Sequence, residues 1–346
     1  MPAFLDDILV TCRHHADAGN LDMFSLKLFN KFHFNFWFEE SWPVKEIKRA
    51  LAINLCASEG ESWNIYAITT KEYDITPHVN RYARDKHSML DLGAEKKICA
   101  FYDSLHNLFR IYDFERKIAV YIYPQNYSFS EWEQHSPFRE FWHLWALNNN
   151  ALLIHSGIVS IGDKAVLLPG AGGSGKSTTV LSCLHNNMQT TGDDYNLLYN
   201  TGAGFFATPL YSNIKVKSPK PGNSVFHFPF TVNWEKEIVS YAEKIIYYPP
   251  RDANIWNVSG TQVVGILCPN ISTHSLAPEI KPVKTTELIN RLVISSIMQS
   301  PFIAKEYLAK SVSLIKNMQT ANLYLSANTD DNAACISNWL KEISCS

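Results

Sequence analysis

The chain is short of charge, of patterned cysteine and of long apolar runs, and each shortage excludes a class of function. Charged residues make up 18% of its 346 residues, and 31 Lys and Arg against 33 Asp and Glu leave a net charge of −2. No Lys/Arg run breaks that balance, which argues against the broad basic surface of a nucleic-acid-binding protein. The seven cysteines (Cys12, Cys56, Cys99, Cys183, Cys268, Cys335, Cys345) are scattered and form no CxxC pair. Thiols in a reducing compartment are therefore expected, rather than a disulfide framework or a zinc ribbon. No apolar segment reaches the roughly 20 residues of a membrane-spanning helix. The opening residues, Met1 to Asp7, lack the basic and then apolar regions of a secretion signal, so the expected location is the cytoplasm, away from membranes. Internal repeats and low-complexity linkers are absent too. What remains is a globular composition, 46% apolar, in a chain long enough for one large domain or two.

One stretch carries chemistry. Residues 167–178 read LLPGAGGSGKST, in which Gly170, Gly175, Lys176 and Ser177 satisfy the phosphate-loop pattern of two glycines bracketing four residues before Lys-Ser. Such a loop lets consecutive backbone N–H groups approach a phosphate tail. Side chains at Gly170, Gly172, Gly173 or Gly175 would obstruct that approach or forbid positive φ angles. The start of the following helix adds its own positive end. The expected nucleotide cradle is Gly170, Ala171, Gly172, Gly173, Ser174, Gly175, Lys176, Ser177 and Thr178. Lys176, expected at the loop's surface, reaches the β/γ-phosphates, and the Ser177 hydroxyl is placed to ligand Mg²⁺. The apolar run 165–168 before the loop and a helical pattern from Ser177 to Leu184 supply the strand and helix that the motif needs.

The chain reads as mixed α/β in two parts: residues 1–130, a smaller region without recognisable chemistry, and 131–346, which carries the loop. Alternation of Phe32, Phe34, Phe36 and Phe38 with polar residues and Trp37 predicts a strand with one aromatic core face. Residues 98–102 and 119–123 are further strands by β-branched and aromatic content. Ser136-Pro137 predicts a helix start, with Ser136 as cap and the helix over 138–147. Residues 152–161 and 165–168 predict a hairpin turning at Gly162-Asp163-Lys164. Later, 196–199, 211–217 and 263–268 read as strands. Helices are expected from Thr285 towards Met298, over 303–318, and over 333–343 with Asp330 as cap.

A phosphate-loop enzyme also needs acids. The later apolar strand, 263–268, ends in Cys-Pro and supplies none, but Asp193 and Asp194 follow Lys176 by 17 and 18 residues. That span fits one helix and a short return strand, bringing both carboxylates back to the loop's mouth. One could bind Mg²⁺ and the other accept a proton from an attacking hydroxyl.

His155-Ser156-Gly157, then the glycine loop, then Gly192-Asp193-Asp194 resemble the C-terminal kinase domain of HPr kinase/phosphorylase. They resemble still more the HPr-kinase-like proteins of peptide-modification clusters, including lasso peptide kinases. The resemblance covers roughly residues 134–346, including Pro209-Leu210-Tyr211 leading to Lys215, and Tyr324-Leu325-Ser326 followed by Asp330-Asp331. It implies the mixed-sheet core shared with phosphoenolpyruvate carboxykinase, with ATP and Mg²⁺ as cofactors. The catalytic residues it implies are Asp193 as base, Lys176, and His155 beside the site; Mg²⁺ would lie between Ser177 and Asp194. Thr178 stands where HPr kinase has a glutamate, and the later glycine- and arginine-rich HPr kinase signature is absent, which argues against HPr as target. The expected activity is transfer of the γ-phosphoryl of ATP to a hydroxyl, most simply serine of a peptide or small protein. A small-molecule hydroxyl kinase and a non-catalytic nucleotide sensor are the rivals; self-association is left open. Of the nearby cations Lys215, Lys217, Lys220 and Arg251, Lys215 is favoured for a site role because it lies in the resembling segment.

Overall fold

The computed structural model describes residues 3–344 except 59, 72, 75–86, 91–97, 104, 218–232, 240–243, 272–275, 295 and 297–303. The chain divides into two compact units, Met1–Pro137 and Phe138–Ser346. The division falls after Pro137 rather than at 130/131.

The first unit runs α1 (Ala3–Asp17), β1 (Asp22–Leu28), β2 (Phe32–Phe38), α2 (Val44–Ala50), β3 (Leu55–Cys56), β4 (Ser62–Thr69), β5 (His87–Leu90), β6 (Ile98–Asp103), β7 (Leu108–Asp113), β8 (Ile118–Tyr123) and α3 (Glu131–His135). Its strands form one mixed sheet in the order β3-β1-β2-β4-β8-β7-β6-β5, parallel only at β2–β4 and β4–β8. The aromatic alternation of β2 does what its period predicts: Phe34, Phe36 and Phe38 are fully buried, and Phe24 of β1 stacks on two of them. Each such ring contributes about 1.5–3 kcal/mol by leaving water. Helix α3 was not expected. Ser130 and Glu133 close a reciprocal capping box at its start. Ser136, expected to begin a helix, instead ends this one, and its N–H bonds the Trp132 carbonyl.

The second unit begins with α4 (Arg139–Asn148), entered through Phe138 in a left-handed conformation, φ 60°. Then come β9 (Ala151–Ile161), β10 (Lys164–Pro169), α5 (Lys176–His185), β11 (Gln189–Gly192), β12 (Tyr195–Asn200) and β13 (Phe205–Thr208). A small antiparallel sheet follows, made of β14 (Ile214–Lys217), β15 (Glu235–Val239) and β16 (Lys244–Tyr248), in the order β14-β16-β15. The chain finishes with β17 (Thr261–Ile271), β18 (Glu279–Pro282), α6 (Thr285–Ile289), α7 (Ala304–Lys316), β19 (Gln319–Leu325) and α8 (Thr329–Ser344).

The predicted hairpin is present: β9 and β10 pair antiparallel from Ile161–Lys164 to Ser156–Pro169. The main sheet runs β10-β9-β12-β13-β17-β19-β18, and a β10–β17 pairing closes its first five strands on themselves. Strands β10, β17 and β19 are parallel. Strand β17 continues past Pro269 to Ile271, beyond the end expected at Cys268. At Pro269 the strand is paired with β19 alone, since β10 pairs only as far as Ile266. Helix α6 passes into a π-helical turn over Asn290–Ile294; the expected end near Met298 lies outside the described residues. At α8 the cap is Asn328, not Asp330: its side-chain oxygen accepts from the backbone N–H groups of Asp330 and Asp331.

Candidate functional site: the loop, the acidic pair and three lysines

The glycine loop lies where the core directs it. Leu167 and Leu168 of β10 are fully buried, and the chain leaves the strand at Pro169. The carboxyl ends of the three parallel strands converge there, the usual place for a ligand in sheets of this kind. Gly175 shows how closely. Its φ is +95°, and a Cβ on it would stand 2.7 Å from Leu325 at the end of β19 and 3.6 Å from Ile271 at the end of β17. Of the four loop glycines, Gly173 and Gly175 use positive φ angles. Helix α5 then starts at Lys176 with no side-chain cap, so its first N–H groups point at the loop's interior.

Lys176 corrects an expectation. It is not a surface lysine but is 8% exposed, and its ammonium donates to the carbonyls of Gly170 at 2.5 Å and Ala171 at 3.1 Å. Its stem folds back along the loop. Burial lowers its proton affinity, while Asp194 and Asp193 act the other way.

Helix α5 and the return strand β11 bring the acidic pair to this mouth, in the break between β11 and β12. A buried network fixes that break. Thr191 donates to the Asn196 side-chain oxygen at 2.7 Å, and the Asn196 amide donates to the carbonyls of Ser156 at 2.7 Å and Gly192 at 3.3 Å. Tyr195 is the register partner of His155, and the two rings stack at 5.1 Å. Arg139 of α4 donates to the Tyr195 hydroxyl at 2.9 Å, which holds that stack from behind.

The two aspartates occupy different environments. Asp193 is 2% exposed. Its Oδ2 accepts the Lys215 backbone N–H at 3.0 Å, while Oδ1 is buried with no hydrogen-bond partner among the described residues. Burial pushes its carboxyl up to about 6, with help from the neighbouring Asp194 charge; the nearby Ser177 hydroxyl and Lys215 act in the opposite direction. Asp194 is paired on both oxygens, with His155 Nε2 at 2.9 Å and Lys215 Nζ at 2.9 Å. Burial disfavours its charge, but Lys215 and His155 outweigh that and hold the carboxyl well below the usual range. The pair is thus split into a proton-holding acid and a fixed anion.

A cavity of about 310 Å³ joins these groups. It is lined by His155, Gly172, Gly173, Gly175, Lys176, Ser177, Thr178, Asp193, Asp194, Lys215, Lys217 and Lys244. The structure thereby brings the expected loop residues, histidine and acids together. Gly170, Ala171 and Ser174 do not line the cavity. The buried Oγ of Ser174 has no hydrogen-bond partner among the described residues. Lys215 is in the site, Arg251 is not among the lining residues, and Lys220 lies outside the described residues. Sequence reasoning missed Lys244, Tyr195 and Arg139. Lys244 had no motif to mark it, and only the β14–β16 pairing brings it in. Among the described residues no group of three or more His, Cys, Asp and Glu side chains is arranged to hold a metal. A site for Mg²⁺ here would rest on hard oxygen donors: the Ser177 hydroxyl and the two carboxylates, of which Asp193 Oδ1 is uncommitted. No helix of the described residues is long and apolar enough to cross a membrane.

No protein-family model matches the chain, and no curated protein matches it.

Proposed function

We propose that the second unit is an ATP- and Mg²⁺-dependent kinase that transfers the γ-phosphoryl group to a hydroxyl, most simply serine of a peptide or small protein. The observation that carries this reading is the split acidic pair in one cavity with the phosphate loop. A sensor needs only the loop and a metal ligand. An enzyme also needs an acid whose proton affinity lies near working pH, and Asp193, pushed up to about 6, has it.

On this reading the loop amides, the start of α5 and Lys176 hold the phosphate tail. Lys176 exchanges its contacts with the Gly170 and Ala171 carbonyls for phosphate oxygens. Mg²⁺, when bound, neutralises charge on the phosphates; Ser177 would hold it together with Asp194, whose oxygens keep lone pairs beyond their contacts with His155 and Lys215. Asp193 accepts the acceptor's hydroxyl proton at Oδ1, the oxygen without a partner. His155 and Lys215 keep Asp194 ionised beside it, and that fixed charge raises the basicity of Asp193. Catalysis is positional and electrostatic.

The test is phosphoryl transfer from ATP with Mg²⁺ to serine peptides and small hydroxyl compounds encoded or made beside the gene. It is read as an intact-mass gain of about 80 Da, one phosphoryl group. A protein that binds nucleotide but modifies none of these is the sensor instead.

A further inference from the structure

The cavity holds more positive charge than the loop requires. Lys215 spends its charge on Asp194, and Lys176 faces the loop carbonyls. Lys217 and Lys244 are left over. They are direct register partners on the antiparallel pair β14–β16, both line the cavity, and neither side chain makes an ion pair or hydrogen bond with a described residue. Opposed residues on neighbouring strands hold their Cβ atoms about 4.5–5.5 Å apart, and like charges so placed repel. A bound anion converts that repulsion into attraction.

The strand tells on which side such an anion sits. Side chains two apart on a strand share a face, so Lys217 follows Lys215 on the same side, about 7 Å further along. Lys215 touches both aspartates, through its backbone N–H and its ammonium. The lysine pair therefore leads away from the acids along β14, whereas the phosphate-binding amides lie in the loop between β10 and α5 and at the start of α5. Both lysines line the same cavity as Lys176 and the acidic pair, which puts them at the edge of the transfer position and not on remote surface.

We propose that Lys217 and Lys244 form a second anion subsite, which takes a carboxylate or phosphate group carried by the hydroxyl acceptor. The assignment rests on the kinase reading and narrows its substrate class: the acceptor hydroxyl lies within one side-chain length of an oxyanion. A neutral acceptor leaves two like charges unpaired and is a poor substrate.

The experiment uses the full chain saturated with Mg²⁺ and a non-hydrolysable ATP analogue, into which inorganic phosphate, and separately acetate, is titrated by calorimetry. Wild type binds the oxyanion. The Lys217→Gln/Lys244→Gln double variant binds it at least about tenfold more weakly, the usual worth of a charge-assisted contact, while its affinity for the nucleotide analogue changes less than about threefold. The Lys217→Arg/Lys244→Arg variant retains oxyanion binding. Tighter phosphate than acetate points to a phosphorylated acceptor, and the reverse to a carboxylate-bearing one. Two results overturn the subsite while leaving the kinase reading intact. One is a nucleotide-loaded wild type that binds neither oxyanion; the other is a double variant that loses nucleotide and keeps the oxyanion. A wild type that fails to bind the nucleotide analogue overturns the kinase reading, and this assignment with it.

Discussion

Replacing Asp193 by asparagine separates its cost to the fold from its use to the chemistry. In the folded protein this carboxyl holds its proton up to about 6, against the ordinary 3.8. Between those values the folded state binds more protons than the unfolded chain, so stability falls as pH rises through the window. Two pKa units correspond to about 3 kcal/mol, at about 1.4 kcal/mol per unit. Asparagine has nearly the same shape and no such titration. The stability difference, variant minus wild type, should therefore move by up to about 3 kcal/mol in favour of Asp193→Asn between pH 4 and 6, then stay level above 6. The unpaired amide N–H₂ takes back about 1–2 kcal/mol at every pH, so the slope is the cleaner quantity. Above pH 6 the net gain is about 1–2 kcal/mol, or about 2–8 °C in melting temperature for a unit of this size. The assay is denaturant unfolding or scanning calorimetry of the full chain at half-unit pH steps. Phosphoryl transfer by the same variant should fall by about two to four orders of magnitude, with nucleotide binding retained. A stability difference that is flat across pH 4–6, or that grows as pH falls, would refute the buried-acid argument.

Other outcomes follow from the same geometry. Lys176→Met keeps the buried stem but not the ammonium; it should remain folded and lose most of the melting-temperature gain that wild type shows with Mg²⁺-ATP, a gain expected from ligand binding to the folded state alone. His155→Phe preserves the stack on Tyr195 but releases one oxygen of Asp194, so the rate should drop about tenfold or more with little change in melting temperature. Gly175→Ala places a methyl 2.7 Å from Leu325 at φ +95°. It should destabilise the fold by about 1–3 kcal/mol and weaken nucleotide binding, both measurable in one thermal-shift series with and without ATP.

The loop was legible in the sequence because its chemistry is written in adjacent residues, and the return of Asp193 and Asp194 because one helix and one strand fit between them and Lys176. Strand β2 was legible for a similar reason: its alternation is local. What sequence reading missed depends on contacts between distant segments or on competition between nearby signals. Lys244 enters the cavity only through its pairing with Lys217, across residues that carry no motif. Arg139 reaches Tyr195 of strand β12 from helix α4. Ser136-Pro137 resembles a helix start, but Ser130 and Glu133 had already capped a helix that ends there. Asp330 resembles a cap, yet Asn328 lies two residues earlier and takes both donors. The burial of Lys176 comes from its own stem folding back along the loop, which no spacing rule expresses.

The contact between Lys215 and Asp193 is made by main chain, and this gives the site a built-in spectroscopic reporter. An amide proton bonded to a carboxylate shifts when that carboxylate gains its proton, because the hydrogen bond loses its charge assistance. The ¹H–¹⁵N signal of Lys215 should therefore trace the titration of Asp193 near pH 6. The ammonium reads Asp194 and the amide reads Asp193, so a single labelled residue distinguishes the two acids without substituting either.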